Sequence, residues 1–393
     1  MDTTVHDFET VQLLNFEKMQ LRAPTITRVT FYEGEPPLEY IKDRLTEICD
    51  KNPWLRGRLA SRAGKLLLRY PNGVRDIAGC MRVVQISGLR FDMGFAELTK
   101  ILKDVVIRRG SLCLNKEEDL FRLVVVNIAD GRFAVVLSMS HAYADGYTSY
   151  EIHKMFSRQE PVRALLVERV HSFRRDLDSV IRGGYDILPW LLSPGVALNV
   201  VGSMLRGRTP TQNVFVVDER KIEQHKQEYR AKNGAKFISA NDVITSAFFA
   251  RTACDVIFVV VNFRDRIPHI TKNHAGNYEA LVGYQREDFA SPELIRRSLV
   301  DNRRPLSGRL PGFFRATRAK LGIITNLAST YEDAELPGCR LLFHRPVIDS
   351  SALVPFEDAV YIFKSSKGQL CLSTCCKETS FLADVEILKD RIV

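Results

Sequence analysis

The chain has 393 residues, 45% of them hydrophobic and 26% charged, with a net charge of +9. These are ordinary globular proportions with apolar material for two cores; they exclude a low-complexity chain, and the length favours two subdomains over one. The basic balance points to an anionic partner without choosing among nucleic acid, an acidic membrane surface and a phosphate-bearing cosubstrate.

The first residues, MDTTVHDFETVQ, are acidic and polar, which does not fit a secretory signal. Ile26–Tyr32 reads as a strand, and Leu38, Ile41, Leu45 and Ile48 carry the spacing of a helix over Leu38–Cys49. Asn52-Pro53-Trp54-Leu55-Arg56-Gly57-Arg58-Leu59 is a turn running into an extended segment. Lys65–Tyr70 and Met81–Ile86 are predicted strands, and Phe95–Ile107 a helix. Leu120–Ile128 and Arg132–Met139 form a predicted hairpin closed by Ala129-Asp130-Gly131, since Asp-Gly supplies the left-handed backbone a tight turn needs. A helix carrying Ile152, Met155 and Phe156 follows Gly146.

From about Ser157 to Asn213 the chain turns arginine-rich, then apolar, then Gly- and Pro-punctuated, as a crossover between halves would. Within it Ile187–Leu205 has no charge over nineteen residues. Its length suits a transmembrane helix, but Pro189, Pro194, Gly195 and Gly202 argue against one, so a buried or surface-lying connector is expected, with interfacial membrane contact as the lesser reading. The second half resumes with a strand at Asn213–Val217, a charged helix at Glu219–Ala231, and a helix capped by Ser239. Asp255–Phe263, an unbroken β-branched run, is a buried strand. Helices are expected near Pro292–Asp301 and Gly308–Lys320, and strands near Leu321–Asn326, Ala359–Phe363 and Gln369–Thr374.

The eight cysteines show no CxxC spacing. Cys371, Cys375 and Cys376 cluster but lack a second ligand pair, so no metal site is expected and all eight are taken as reduced thiols of a cytoplasmic protein. Phosphate loops, GxGxxG after a strand, HExxH and GxSxG are absent. What remains is HxxxDG: His141, Asp145 and Gly146. An apolar strand delivers the histidine to its own C-terminal end, where α/β architectures place reactive groups. Imidazole, with an unperturbed pKa of about 6.5, suits a general base working near neutral pH. The aspartate needs a cationic partner if buried and is expected to fix the loop. The glycine is expected to ease the exit from strand to helix.

The segment Ser138–Gly146 resembles the HHxxxDG motif of the CoA-dependent acyltransferase superfamily, which includes BAHD acyltransferases, chloramphenicol acetyltransferase and the condensation domains of peptide synthetases. Other marks follow in the family's order. Asn52–Leu59 resembles its early NPxLRGRL turn, and Ser239–Val243 the opening of its second half. Val261–Arg266 with Gly276-Asn277-Tyr278 resembles its arginine strand and Gly-Asn pair, and Ile324–Leu327 a later strand. The resemblance implies an α/β (α+β) fold of two similar subdomains, each a mixed sheet flanked by helices, with a channel between them. The N-terminal subdomain would span 1–157, a linker 158–212 and the C-terminal subdomain 213–393. His141 would be the base, Asp145 would pair with Arg264, and Thr325 would donate to the oxyanion. Two departures mark a divergent member: Ser140 stands for the first histidine, and Cys339–Val347 replaces the DFGWG element of the plant enzymes.

No permanently bound cofactor is expected; acyl-CoA would be the cosubstrate, with its phosphates met by basic residues of the 296–320 stretch, Arg296, Arg303 and Arg304 among them. The partners are then acyl-CoA and a small alcohol or amine, without nucleic acid. A chain that holds both halves of the channel is expected to work as a monomer. Two other readings stay open: a condensation-type domain fed by a carrier-protein thioester in trans, and a non-catalytic, membrane-peripheral protein that kept the fold.

Overall fold

The computed structural model describes residues 8–72, 77, 79–181, 187–205, 209–233, 237–301, 309–348, 355–366 and 368–393. In the first half the elements run β1 (Phe8–Gln12), α1 (Glu17–Gln20), β2 (Ile26–Glu33), α2 (Leu38–Lys51), β3 (Arg58–Arg62), β4 (Lys65–Pro71), β5 (Met81–Gln85), α3 (Phe95–Leu102), α4 (Gly110–Cys113), β6 (Phe121–Asn127), β7 (Arg132–Met139) and α5 (Gly146–Lys154). The crossover carries α6 (Phe173–Val180), α7 (Ile187–Leu191) and α8 (Pro194–Leu205). Then come β8 (Thr211–Val217), α9 (Glu219–Asn233), α10 (Ala240–Phe249), β9 (Val256–Asn262), β10 (Glu279–Gln285), α11 (Pro292–Asp301), α12 (Phe313–Ala316), β11 (Leu321–Asn326), β12 (Arg340–Val347), β13 (Asp358–Lys364), β14 (Leu370–Cys376) and β15 (Leu388–Arg391).

Two mixed sheets organise the molecule. A five-stranded sheet in the order β12-β2-β7-β6-β5 is antiparallel except where β5 meets β6. Its faces are both covered, since odd and even side chains of a strand leave on opposite sides. Val29, Phe31, Val124 and Val136 pack under Leu98 and Leu102 of α3 on one face, while Tyr32, Leu123 and Leu137 meet α2 and α5 residues on the other. Asp130 and Gly131 both take positive φ in the β6–β7 turn, as the Asp-Gly pair requires. A seven-stranded sheet, β10-β9-β11-β13-β14-β8-β15, holds β11 parallel to β9 and β13 at its centre. β9 is apolar along its length because helices cover both sides of it. A three-stranded sheet, β1-β4-β3, completes the first half.

The fold is therefore α/β with mixed sheets flanked by helices. The strand β12 leaves the second half and pairs with Thr27–Glu33 of β2, with a bulge between Leu341 and Phe343, so a C-terminal segment forms the edge of the N-terminal sheet. Its Pro346 is tolerated there because an edge strand spares one N–H from the ladder. Helix α3 ends at Leu102, five residues short of the expected end. The basic 296–320 stretch is not one helix: α11 closes at Asp301, and after Pro311-Gly312 only the four residues of α12 are helical. No helix among the described residues is long and apolar enough to cross a membrane. All eight cysteines are free thiols, and the described residues contain no cluster of metal-ligand side chains.

Candidate active site

Strand β7 ends at Met139, and the chain turns through Ser140 and His141 into α5. Asp145 caps that helix, its Oδ1 accepting from the Thr148 backbone N–H at 2.8 Å. The turn is thus fixed at one end by the sheet and at the other by a helix cap. Ser140 is buried, its Oγ 3.2 Å from where a side chain on Gly110 would begin, so this spot holds a small residue where the related motif has histidine.

The half-buried His141 ring is oriented by Asn277, which stands just before β10. The amide nitrogen of Asn277 donates to Glu17 Oε1 at 2.8 Å and to the His141 carbonyl at 3.1 Å, so its Oδ1 is the acceptor left for the ring, 3.1 Å from Nδ1. An amide oxygen accepts only, which assigns the proton to Nδ1 and leaves a lone pair on Nε2. Among the described residues Nε2 has no hydrogen-bond partner. Glu17 in turn is wholly buried, accepts from the Leu14 backbone at 2.6 Å, and is paired with Arg169 at 3.1 Å, both side chains without solvent exposure. Arg169 also donates to the carbonyls of Val167, Ala275 and Tyr143. Gly276, at φ +129°, lets this arginine pass; a Cβ there would sit 2.8 Å from its guanidinium carbon. Burial lowers the His141 pKa below the ordinary histidine value, outweighing the raising effects of its own backbone, Asp145, Asn277 and Glu17.

Asp145 points away from the imidazole, into a closed network. Arg264 Nη1 reaches its Oδ2 at 2.7 Å and Nη2 its Oδ1 at 3.1 Å; Thr148 Oγ1 and the Tyr278 N–H donate to the same carboxylate at 2.8 and 3.0 Å. Burial would raise the Asp145 pKa, but the charge and hydrogen bonds of Arg264, with those from Thr148 and Tyr278, hold it below the ordinary aspartate value. Arg264 also donates to the His274 and Gly276 carbonyls and lies 4.5 Å from the centre of the Tyr147 ring. The pair joins the His141 loop of the first half to the end of β9 in the second.

His141 opens on a cavity of about 380 Å³ between the two sheets. Asn277, Glu279 and Leu281 line it at the period of a strand, beside Thr325 and Ile323 of β11, Thr27 of β2 and Val347 of β12. The lining is mostly apolar, with a few polar side chains, Thr27, Asn277, Glu279 and Thr325 among them. Thr325 Oγ1 has no hydrogen-bond partner among the described residues. Gly146 also lines the cavity, with an ordinary negative φ; what it supplies is room, since a Cβ would meet Leu327 at 3.0 Å. Glu279 is raised to about 8 by burial and by the nearby Asp145 charge, partly offset by Arg264.

His141, Gly146 and Thr325 thus meet at one cavity, with Asp145 and Arg264 behind it. Arg296 does not line it: its Nε is 2.7 Å from Asp242 Oδ2, which also closes the capping box of α10 with Ser239. Arg303 and Arg304 lie outside the described residues. Sequence reasoning marked the Gly276-Asn277 pair without a role and missed Glu17 and Glu279. Glu279 would have emerged had β10 been recognised, two residues beyond Asn277; nothing local distinguishes Glu17.

By sequence the chain matches no family profile and no curated protein. By structure it is similar to F. graminearum TRI101 solved with coenzyme A and T-2 mycotoxin, at TM-score 0.64 and 13% identity over 98% of this chain and all of that one. It is similar to polyketide synthase associated protein 5 from Mycobacterium tuberculosis at TM-score 0.62 and 14% identity, covering 95% of each chain. The first condensation domain of the CDA synthetase superposes at 0.59 with 13% identity over 94% of this chain and 90% of that one. The fold is the one shared by these CoA-complexed and condensation-domain structures. At such identities the likeness extends to architecture, across nearly the whole chain, and the chemistry must be argued from the residues.

Proposed function

We propose that this protein is an acyltransferase that moves an acyl group from a CoA thioester to the hydroxyl or amine of a small acceptor, with His141 as general base. The observation that carries the reading is the bond between His141 Nδ1 and Asn277 Oδ1 in a ring that lines a largely apolar cavity, with Nε2 unpaired among the described residues. Nε2 takes the proton from the acceptor O–H or N–H as that atom bonds to the thioester carbonyl carbon. The carbonyl π electrons move to oxygen, and the Thr325 hydroxyl donates to the oxyanion. The oxyanion then collapses, the C–S bond breaks, and the thiolate takes the proton from the imidazolium. The lowered pKa of His141 serves the first step, keeping the ring neutral in the resting state. Asp145 and Arg264 hold the loop and take no part in proton transfer.

The protein works in this proposal as a cytoplasmic monomer, since one chain supplies both walls of the cavity. The test is release of free thiol from short-chain acyl-CoA with a panel of alcohols and amines. His141→Ala should lower the rate by about 10²–10⁴-fold; equal rates in parent and variant would sink the enzyme reading. Carrier-protein donation makes a different forecast. Free acyl-CoA at about 100 times its Kd should stabilise a CoA-dependent enzyme by about 2.7 kcal/mol, and a carrier-fed one not at all.

A further inference from the structure

Helix α8 is apolar outward as well as inward, where Val196 and Val200 pack on the core. Its inward face carries Asn199, which donates to the Ala316 and Ala319 carbonyls at 3.0 and 2.6 Å, and Ser203, which accepts from Lys377 at 2.5 Å. Its outward face carries Leu198, Val201, Met204 and Leu205, with Leu205 83% exposed. A helix on the surface of a water-soluble domain ordinarily turns polar side chains outward. Beside it α12 presents Phe313 and Phe314, the latter 84% exposed, the two rings 5.4 Å apart. The two helices are fixed to each other, because Gly195 brings α8 against the Phe313 carbonyl with no room for a Cβ, and Trp190 Nε1 donates to the Pro311 carbonyl at 2.7 Å. These apolar side chains therefore form one rigid, outward patch, larger in kind than the scattered exposed residues of ordinary surfaces.

Cations border it. Arg309, Arg315, Arg318 and Lys320 are exposed, and none has an ion-pair partner among the described residues. From Ile187 to Leu205 and from Arg309 to Lys320 there is no acidic residue. The carboxylates nearby lie at its inner side: Asp255 accepts from the Lys320 backbone N–H at 2.8 Å, Asp358 is buried within reach of the Lys320 charge, and Glu357 pairs with Lys377. Exposed aromatic and aliphatic side chains with cations beside them fit a surface that is apolar below and anionic at its boundary.

We propose that α8 and α12 dock this protein on an anionic phospholipid surface, with Leu205 and Phe314 entering the acyl boundary and Arg315 and Arg318 meeting headgroup phosphates. The docking does not depend on the reaction proposed above. It does bear on the cavity: Leu281, Ile323 and Phe356 pack against the core beneath α8 and α12 and also line the cavity, so the docked face and the cavity share one wall.

The test is co-sedimentation of the full chain with vesicles of phosphatidylcholine containing about 30% phosphatidylserine, against vesicles of phosphatidylcholine alone. The parent should bind the anionic vesicles, and added salt should weaken the binding. Arg315→Ala with Arg318→Ala should reduce partitioning by about five-fold per charge. Leu205→Glu with Phe314→Glu should abolish it while melting as the parent does, since both positions are exposed. No binding by the parent, equal binding to neutral vesicles, or full binding by the glutamate variant would overturn the proposal. So would a dimer of the parent that the same glutamate variant splits into monomers, because the patch would then be occupied by a second copy.

Discussion

Replacing Asp145 by alanine tests whether this residue is a latch or part of the chemistry. Its carboxylate accepts five hydrogen bonds, two from Arg264, two from Thr148 and one from Tyr278, and neither it nor the Arg264 side chain has solvent exposure. In Asp145→Ala, Arg264 keeps its bonds to the His274 and Gly276 carbonyls, Asn262 and Thr148 but loses the carboxylate it is ion-paired with. A guanidinium left buried without a counter-charge costs about 3–5 kcal/mol. With an unfolding entropy of about 2.1 cal/mol/K per residue over the whole chain, that is a fall in Tm of about 4–6 °C. Calorimetry on Asp145→Ala, Arg264→Leu and the double variant measures it. The double variant should lose less than the sum of the singles, since removing both partners leaves no orphaned charge. The folded-state pKa of Asp145 is depressed, so its contribution is present above about pH 4, the unfolded value, and is lost as pH falls through the lower folded value. The penalty of Asp145→Ala should therefore shrink in acid. An unchanged Tm in the single variant, or strict additivity in the double, would refute the latch.

Asn277→Ala should leave KM nearly unchanged and lower kcat by about ten-fold or more, since it frees the ring to take the other tautomer. The parent kcat/KM should hold on its way down to below about pH 6.5 and drop as pH falls through the depressed His141 value, whereas an unshifted limb would contradict the burial of the ring. Thr325→Val removes a hydroxyl while keeping shape, and should lower kcat by about 10²-fold with Thr325→Ser largely restored; an inert valine variant would remove the oxyanion role. Glu279 titrates at about 8 when folded against about 4.3 when unfolded. Its carboxyl favours the folded state most in acid, and that contribution is lost as pH climbs from about 4 to about 8. Glu279→Gln should remove this slope from denaturation measured across that range.

The elements read best from sequence were those whose signal is local: the β6–β7 hairpin with its Asp-Gly turn, α2 by its spacing, α10 by its serine cap, and β9 by its run of valines. The motif placed His141 at the end of β7, which the structure bears out. What escaped was non-local. β12 holds Pro346 and two arginines, Arg340 and Arg345, and reads as irregular; it is a strand because β2 offers an edge and because Arg345, although buried, finds the Phe91 and Met93 carbonyls. Glu17 lies in a segment with no pattern at all, and its place under Asn277 follows only from the packing of residues 260 positions apart. The outward apolar face of α8 was legible as composition but not as orientation, because an uncharged helix carries no polar stripe to say which side faces the core.

The imidazole is set by residues from five separate segments: the β7–α5 turn, α1, the crossover through Arg169, the end of β9 and the start of β10. Two buried ion pairs, Glu17–Arg169 and Asp145–Arg264, tie these together. Such pairs add little net stability over apolar residues of the same volume, because desolvation offsets most of their attraction. Their distinctive property is direction. Each arginine fork accepts one arrangement of carboxylate and carbonyls and no other, and the amide of Asn277 passes that arrangement to the ring as a choice of tautomer. The apolar cores can hold the two halves together, but they cannot distinguish an Nε2 that faces the cavity from one that does not; the polar network can, and it closes only when the halves are in register.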